Sequence, residues 1–294
     1  MLELTNITHR YPGAETPALQ GIDLQLQAGQ CLGLLGSNGA GKTTLLSLLA
    51  GVLPLQQGEI RWDGERSLGL VPQQLAFYAE LKVRENLELF ADLYRLRGAE
   101  RARRLELCIA STSLESKLQR RAGRLSGGEQ RRLNFAIGLL QPARLYLFDE
   151  ATVGVDASSR QRLLDAVEQL TAEGHAVIYT SHYLDEVERV AQRILLLHQG
   201  HVRLDLDSRQ LLGDDHGLLL EWQGEEPAGL RELLGKLHLN AEALPGGLRI
   251  ASLDGPQLLE ITRFLAERPE LPHLLRFGRP SLEQLYLRLN GGRL

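Results

Sequence analysis

The run Gly36-Ser37-Asn38-Gly39-Ala40-Gly41-Lys42-Thr43-Thr44 has the residue types and spacing to hold phosphate. It reads G-x-x-x-x-G-K-[ST], the P-loop pattern. Its glycines let the backbone curl so that successive N–H groups point into one concavity. A helix starting at the end of the run adds partial positive charge there. Lys42 supplies a full charge for the β- and γ-phosphates, and the Thr43 hydroxyl is placed to ligand Mg²⁺. The flanks agree. Cys31 to Leu35 is a short apolar run, as in a buried strand, and Thr44 to Ala50 is leucine-rich and continues as a helix. The bland alternative, a glycine-rich turn ending by chance in Lys-Thr, leaves this register unexplained. By itself the loop implies nucleoside triphosphate binding.

Other strand ends carry polar residues suited to the same chemistry. Leu145-Tyr146-Leu147-Phe148 is apolar and ends in Asp149-Glu150, the pattern of a buried parallel strand with its carboxyl end at a nucleotide. Asp149 suits holding Mg²⁺ through a water, and Glu150 suits orienting or deprotonating an attacking water. Helix capping is the alternative for such acids. Ala176 to Thr180 is another buried strand and stops at Ser181-His182, where a histidine can reach a γ-phosphate or fix the geometry of water attack. Its alternative is structural. Leu68 to Val71 stops at Pro72-Gln73, whose amide oxygen can ligand Mg²⁺, hold a water, or face solvent. In the turn Arg10-Tyr11-Pro12-Gly13, Tyr11 can stack on a flat base or pack on its own sheet.

Leu125-Ser126-Gly127-Gly128-Glu129-Gln130 leads into a helix predicted from Arg131 to Leu140. A serine and two glycines at a helix start make a second anion site by the same logic, with a plain N-cap as the alternative. One chain then has two phosphate-ready helix starts and one lysine loop. The sharper reading is that the second start covers a nucleotide held by another copy. Two head-to-tail copies would close two identical sites with C2 symmetry.

Elements must position these groups. Residues 2–28 read as strands, from Leu2, Leu4 and Ile7 and then Ile22, Leu24 and Leu26. Gly58 to Gly64 is a strand ending in a turn. Residues 80–125 turn helical, with Val83, Leu87, Phe90, Leu93 and Leu96 predicted on one face and Leu105, Ile109 and Leu114 continuing. Arg101, Arg103 and Arg104 are expected on a solvated surface, with lipid headgroups or a partner as alternatives. Gly154-Val155-Asp156 is a loop before a helix from Ser158 to Thr171. At 294 residues the chain holds one large domain, or one plus a small second. A formal net charge of -4 argues against a basic nucleic-acid coat. Cys31 and Cys108 lack motif spacing, so a disulfide framework or zinc site is not expected, and a reducing compartment is. Met1-Leu2-Glu3-Leu4-Thr5 does not read as a signal peptide. No apolar run approaches the roughly 18 residues that span a bilayer, so membrane work would need another chain.

Together these residues resemble the ATP-binding cassette (ABC) ATPases, over residues 1–215. Gly36 to Thr44 resembles their Walker A, Gln73 the Q-loop, and Leu125 to Glu129 the signature motif. Leu145 to Glu150 resembles Walker B with its catalytic glutamate. Asp156 matches the D-loop, His182 the switch histidine, and Tyr11 the aromatic that stacks on adenine. The signature is the most specific part, because other P-loop classes lack it. The resemblance implies an α/β P-loop NTPase cassette over 1–210, with a mixed sheet core, an antiparallel β subdomain and an α-helical subdomain at about 74–140. It implies ATP and Mg²⁺, with Thr43, Gln73 and Asp149 at the metal and Glu150, His182 and Lys42 catalytic. Tyr11, Gly36, Ser37, Asn38, Gly39, Ala40, Gly41, Thr44, Ser126, Gly127, Gly128, Glu129 and Asp156 would surround nucleotide. Two cassettes, a homodimer or a pair with a homologous cassette, would sandwich two MgATP between the Walker A of one and Ser126 and Gly128 of the other. Closure would drive an integral membrane permease, coupled through Gln73 and the helical insertion. The expected place is cytoplasmic, peripheral on the inner face of the cell membrane, with no nucleic acid partner. Two departures stand out. Ala151 stands where many members have proline, and Glu129 where many have glutamine, with Gln130 one place late. Neither removes a phosphate or metal ligand, so an active ATPase is expected.

From about Asp205 the pattern shifts. Leu218 to Leu220 reads as a strand and Leu230 to Leu237 as a helix. Two strands follow around Pro245-Gly246-Gly247, then a helix from Leu258 to Leu265, a strand from Leu271 to Phe277 and a helix from Ser281 to Leu289. The order β-α-β-β-α-β suggests a small α+β ferredoxin-like domain at 211–294. His216, His238 and His273 are scattered and are not expected to bind metal. Pro280 to Leu287 resembles the tail of single-cassette ATPases of bacterial exporters of drugs, polysaccharides and cofactors, which favours export. A non-transport ABC ATPase acting on ribosomes or DNA would usually carry two cassettes, long coiled-coil arms or zinc modules, and none is evident. A small-molecule P-loop kinase would leave the signature and His182 unexplained.

Overall fold

The computed structural model describes residues 1–208, 217–222, 224, 226–244, 246–268, 271–278 and 282. They fall into two compact units, Met1–Ser208 and Arg209–Leu294. In the first, β3 (Cys31–Leu35), β6 (Leu145–Asp149) and β7 (Ala176–Thr180) are buried at every position. Strands covered on both faces need hydrocarbon throughout, hence their unbroken apolar runs. With β5 (Leu68–Val71), β8 (Arg193–His198) and β9 (His201–Asp207) they form a sheet of order β5-β6-β7-β3-β8-β9. All its pairs are parallel except β8 with β9. A second, antiparallel sheet orders β2 (Leu19–Leu26), β1 (Leu2–His9) and β4 (Gln57–Trp62). Its inward residues Leu2, Leu4, Ile7, Ile22, Leu24 and Leu26 join one apolar core with Leu45, Leu46, Leu48 and Leu49 of α1 (Lys42–Ala50). Burying each such side chain contributes about 1.5–3 kcal/mol.

The helical part holds α2 (Val83–Leu93), α3 (Gly98–Thr112) and α4 (Gly127–Leu140). The buried face of α2 is Val83, Asn86, Leu87 and Ala91, whereas Leu93 is 60% exposed. Ten residues at 3.6 per turn carry position 93 well off the stripe begun at 83, so the expected face was too wide. The arginines differ among themselves. Arg103 is exposed and paired with Glu100, and Arg101 pairs with Asp92. Arg104 is only 14% exposed and donates to the Leu139 carbonyl and the Tyr146 hydroxyl, tying α3 to α4 and β6. It is a packing residue, not part of a solvated face. Two further helices, α5 (Ala157–Ala172) and α6 (Leu184–Val190), follow β6 and β7. Among the described residues no helix is long and apolar enough to cross a membrane.

The second unit has strand order β11-β12-β10-β13, all antiparallel, with β10 at Gly217–Glu221, β11 at Ala241–Leu244, β12 at Gly247–Ile250 and β13 at Leu274–Gly278. Helices α7 (Leu230–Lys236) and α8 (Gly255–Ala266) supply the crossovers, which is the ferredoxin-like topology. Its core is Leu218, Leu220, Leu248 and Ile250 against Leu230, Leu234, Ile261 and Leu265. The last strand starts at Leu274 rather than Leu271. The helix expected from Ser281, the Pro280 to Leu287 match, Pro245 and His216 lie outside the described residues, Leu282 apart. His238 and His273 are exposed, and no cluster of metal-ligating side chains occurs among the described residues.

Helix α4 begins at Gly127, earlier than the Arg131 start expected from sequence, because Ser126 caps it. Ser126 Oγ accepts from the Glu129 N–H at 3.3 Å, and Glu129 Oε2 accepts from the Ser126 N–H at 2.9 Å. This reciprocal box satisfies two orphan donors at once. The other carboxylate oxygen of Glu129 meets Lys117 Nζ at 2.7 Å. The Lys117 bond, then that of Ser126, holds the carboxyl below its ordinary value. A depressed carboxyl contributes stability above its unfolded value, near 4.3, and loses it as pH falls through the folded value. Glu129→Gln keeps the box but drops the ion pair. Urea unfolding at neutral pH is expected to show a loss of about 0.5–1 kcal/mol, shrinking as pH falls below about 4. A gap that is constant with pH contradicts the ion-pair assignment.

Candidate functional site

The loop between β3 and α1 wraps the start of the helix. Gly41 caps α1 at φ 108°, in the left-handed region, and a Cβ there would meet the Ala18 carbonyl oxygen at 2.6 Å. Only glycine fits both demands. Lys42 is 7% exposed, and its Nζ donates to the carbonyls of Gly36 at 2.7 Å and Ser37 at 3.2 Å. Burial lowers its pKa, opposed by the nearby Glu150 and Asp149 carboxylates. The ammonium is thus held inside the loop, between backbone acceptors and two acids.

Those acids end β6, with Asp149 4% and Glu150 7% exposed. Thr43 Oγ1 donates to Asp149 Oδ2 at 3.1 Å, and Thr180 Oγ1 donates to Asp149 Oδ1 at 2.9 Å. Asp149 and Thr180 are register partners at the ends of β6 and β7. Glu150 leaves the strand at φ 51°, a conformation that is uncommon for a non-glycine residue and is here held by its N–H bond to Thr180 Oγ1 at 3.0 Å. Its carboxylate is gripped on both oxygens: His182 Nε2 lies 2.8 Å from Oε1, and Gln73 Nε2 donates to Oε2 at 2.7 Å. The ends of β5, β6 and β7 therefore bring Gln73, Asp149, Glu150 and His182 together with Lys42 and Thr43. Sequence reasoning missed Thr180. Its only signal was the position one residue before Ser181-His182 at a strand end.

Tyr11 is 41% exposed, and its hydroxyl sits 3.1 Å from Thr44 Oγ1, with His9 edge-on to its ring. The ring is thereby tethered beside α1 rather than packed flat on its sheet. Ser126 and Gly127, at the start of α4, are exposed, so this second helix start opens to solvent and is not enclosed within its own subunit. Asp156 is exposed and caps α5, accepting from the Ser159 N–H at 2.9 Å and the Ser158 hydroxyl at 2.7 Å. Those bonds, the backbone one foremost, hold its carboxyl well below the usual range. Arg131, unremarked in the sequence, donates from α4 to the Gln73 carbonyl. Thr43 and Asp149 put hard oxygen donors side by side, a set that suits Mg²⁺.

A family model described as ABC transporter matches residues 19–153. The chain is 34% identical to the linearmycin resistance ATP-binding protein LnrL of Bacillus subtilis, over 99% of this chain and 98% of that one. It is 32% identical to the Nod factor export ATP-binding protein I of Burkholderia thailandensis, over 93% and 92% respectively. Among solved structures it resembles the dimeric post-hydrolysis state of the cassette MJ0796 bound to ADP and Pi. That match has a TM-score of 0.65 and 26% identity, over 71% of this chain and 99% of that one. With the nucleotide loop, the paired strand-end acids and a full-length relative in agreement, the chain belongs to the ABC transporter family, as an ATP-binding and ATP-hydrolysing subunit.

Proposed function

We propose that this subunit powers export through a separate integral membrane permease, working as one of two head-to-tail cassettes on the cytoplasmic face of the membrane. The observation that carries the reading is the solvent-facing start of α4 in a chain whose P-loop is a separate helix start. Two phosphate-ready ends on one subunit fit a nucleotide held between copies. The second copy would be this chain or a homologous cassette. Export rests on the full-length likeness to resistance and export ATP-binding proteins.

In this reading the Walker A backbone of Gly36 to Thr44 and the Lys42 ammonium bind the β- and γ-phosphates. Tyr11 offers its face to the base. Ser126, Gly127, Gly128 and Glu129 of the opposing copy close over the γ-phosphate, and Asp156 borders the same interface. Thr43, Asp149 and the Gln73 amide oxygen would hold Mg²⁺, which supplies charge neutralisation of the transferring phosphoryl when bound. Glu150 orients the attacking water and takes its proton at a carboxylate oxygen, and His182 fixes that carboxylate from the other side. Lys42 and the loop N–H groups stabilise the developing charge. A groove of about 550 Å³ at Pro72, lined by Val52, Leu70, Phe90, Tyr94 and Ile137 with Arg66 and Asn134, offers a cytoplasmic loop of the permease a mixed, largely apolar seat.

Two outcomes are expected. Glu150→Gln retains ATP binding but lowers turnover by about 10²–10⁴-fold, and sedimentation with ATP shows a stable dimer. Normal turnover removes Glu150 as the base. Lys42→Ala weakens ATP binding in a calorimetric titration by at least about tenfold, the loss of one charge-assisted hydrogen bond. Unchanged affinity takes the loop out of the mechanism.

A further inference from the structure

We propose that Glu186 is a positioning residue for ATP hydrolysis, its buried carboxylate holding together the three segments that carry Glu150, Asp156 and His182; this rests on the roles just given to those residues. Glu186 lies in the first turn of α6 and is 1% exposed. Its Oε2 accepts from three hydroxyls: Ser181 Oγ at 2.6 Å, Thr152 Oγ1 at 2.7 Å and Tyr179 Oη at 2.9 Å. Its Oε1 faces Arg160 Nε at 3.3 Å.

Each partner leads to the site. Ser181 precedes His182, and its Oγ also accepts from the Tyr183 N–H at 3.0 Å, so both neighbours of the histidine are fixed to one atom. The Arg160 guanidinium lies over the Tyr183 ring, 4.3 Å from its centroid, and the Arg160 main-chain N–H donates to the carbonyl of Asp156, the cap of α5, at 2.8 Å. Thr152 stands two residues after Glu150. Burial, with the Glu186 carboxylate beside it, pushes the Tyr179 phenol well above its ordinary value, so it remains a donor.

A buried carboxylate is a costly means of stabilising a fold, since well-packed hydrocarbon of equal volume often does as well. What hydrocarbon cannot do is gather hydroxyls from the end of β7 and the loop after β6 on one carboxylate oxygen while the other faces the guanidinium of Arg160 on α5. The 2.8 Å contact between His182 and Glu150 needs the segments after β6 and β7 in fixed relation. Neither Glu186 nor its hydroxyl partners need touch nucleotide to provide it.

The test uses the full chain with ATP as the probe. Glu186→Gln is expected to lower kcat at least about tenfold while KM for ATP stays within about twofold, the split that marks an interaction acting in the transition state. The imidazole resonances of His182, assigned by their loss in His182→Ala, should move in the same variant. Thr152→Val and Ser181→Ala each remove one hydroxyl, and each should give a smaller loss of kcat at constant KM. They decide the matter if Glu186→Gln does not fold by circular dichroism. Normal kcat in folded variants, a loss confined to KM, or unmoved His182 resonances overturns the proposal. Full turnover in Glu150→Gln would instead defeat the mechanism of the preceding section, and the His182 resonances, which need no turnover, would then judge Glu186 alone.

Discussion

Three charged groups, Lys42, Asp149 and Glu150, share the carboxyl edge of a hydrocarbon sheet, each more than nine-tenths buried. Removing an ion from water costs several kcal/mol unless partners compensate. Here the compensation is explicit. Lys42 is bonded to two carbonyls of its own loop, Asp149 to two threonines, and Glu150 to an amide and an imidazole. The polar groups are therefore held by partners from the fold itself, the kind of preorganisation under which such groups stabilise developing charge at little reorganisation cost. Mixed sheet, P-loop and flanking helices all serve to hold this cluster in place.

The cluster also explains the shape of the sheet. A parallel sheet puts its carboxyl ends on one side, and β3, β5, β6 and β7 deliver Lys42, Gln73, Asp149 with Glu150, and His182 to that side. The antiparallel sheet of β1, β2 and β4 has a different job. It covers α1 with leucines and carries Tyr11 at the end of β1, where its hydroxyl reaches Thr44. An aromatic placed that way stands beside the phosphate loop without adding charge to it.

Much of this was legible in the sequence, and physical locality says why. The P-loop, the strand-end acids and the signature turn each need residues adjacent in the chain, so composition and spacing reveal them. The ferredoxin-like order of the second unit was legible too, because alternation and turn residues are local. The hydroxyl network on Glu186 was not. It joins Thr152, Tyr179, Ser181 and Arg160 through strand register and helix docking, and none of the four carries a motif of its own. Thr180 was hidden likewise, since its bond to Asp149 depends on β6 pairing with β7. Two readings of the helices failed, for different reasons. Leu93 counted as core although its angle on α2 points it outward, and α4 was started at Arg131 although it begins at Gly127. A reciprocal cap by Ser126 and Glu129 sets that start.

One connection joins the signature helix to the acidic edge within a single subunit. Arg131, near the start of α4, holds the main chain of Gln73, and the Gln73 side chain holds Glu150. Both bonds use one residue, so they share its backbone. Gln73 is thus bonded to α4 through its main chain and to the Glu150 carboxylate through its side chain, the latter at 2.7 Å. The proposed water-activating carboxylate and the surface offered to another cassette are therefore not independent parts of this fold. The two bonds meet at Gln73, which follows Pro72 of the groove in the chain.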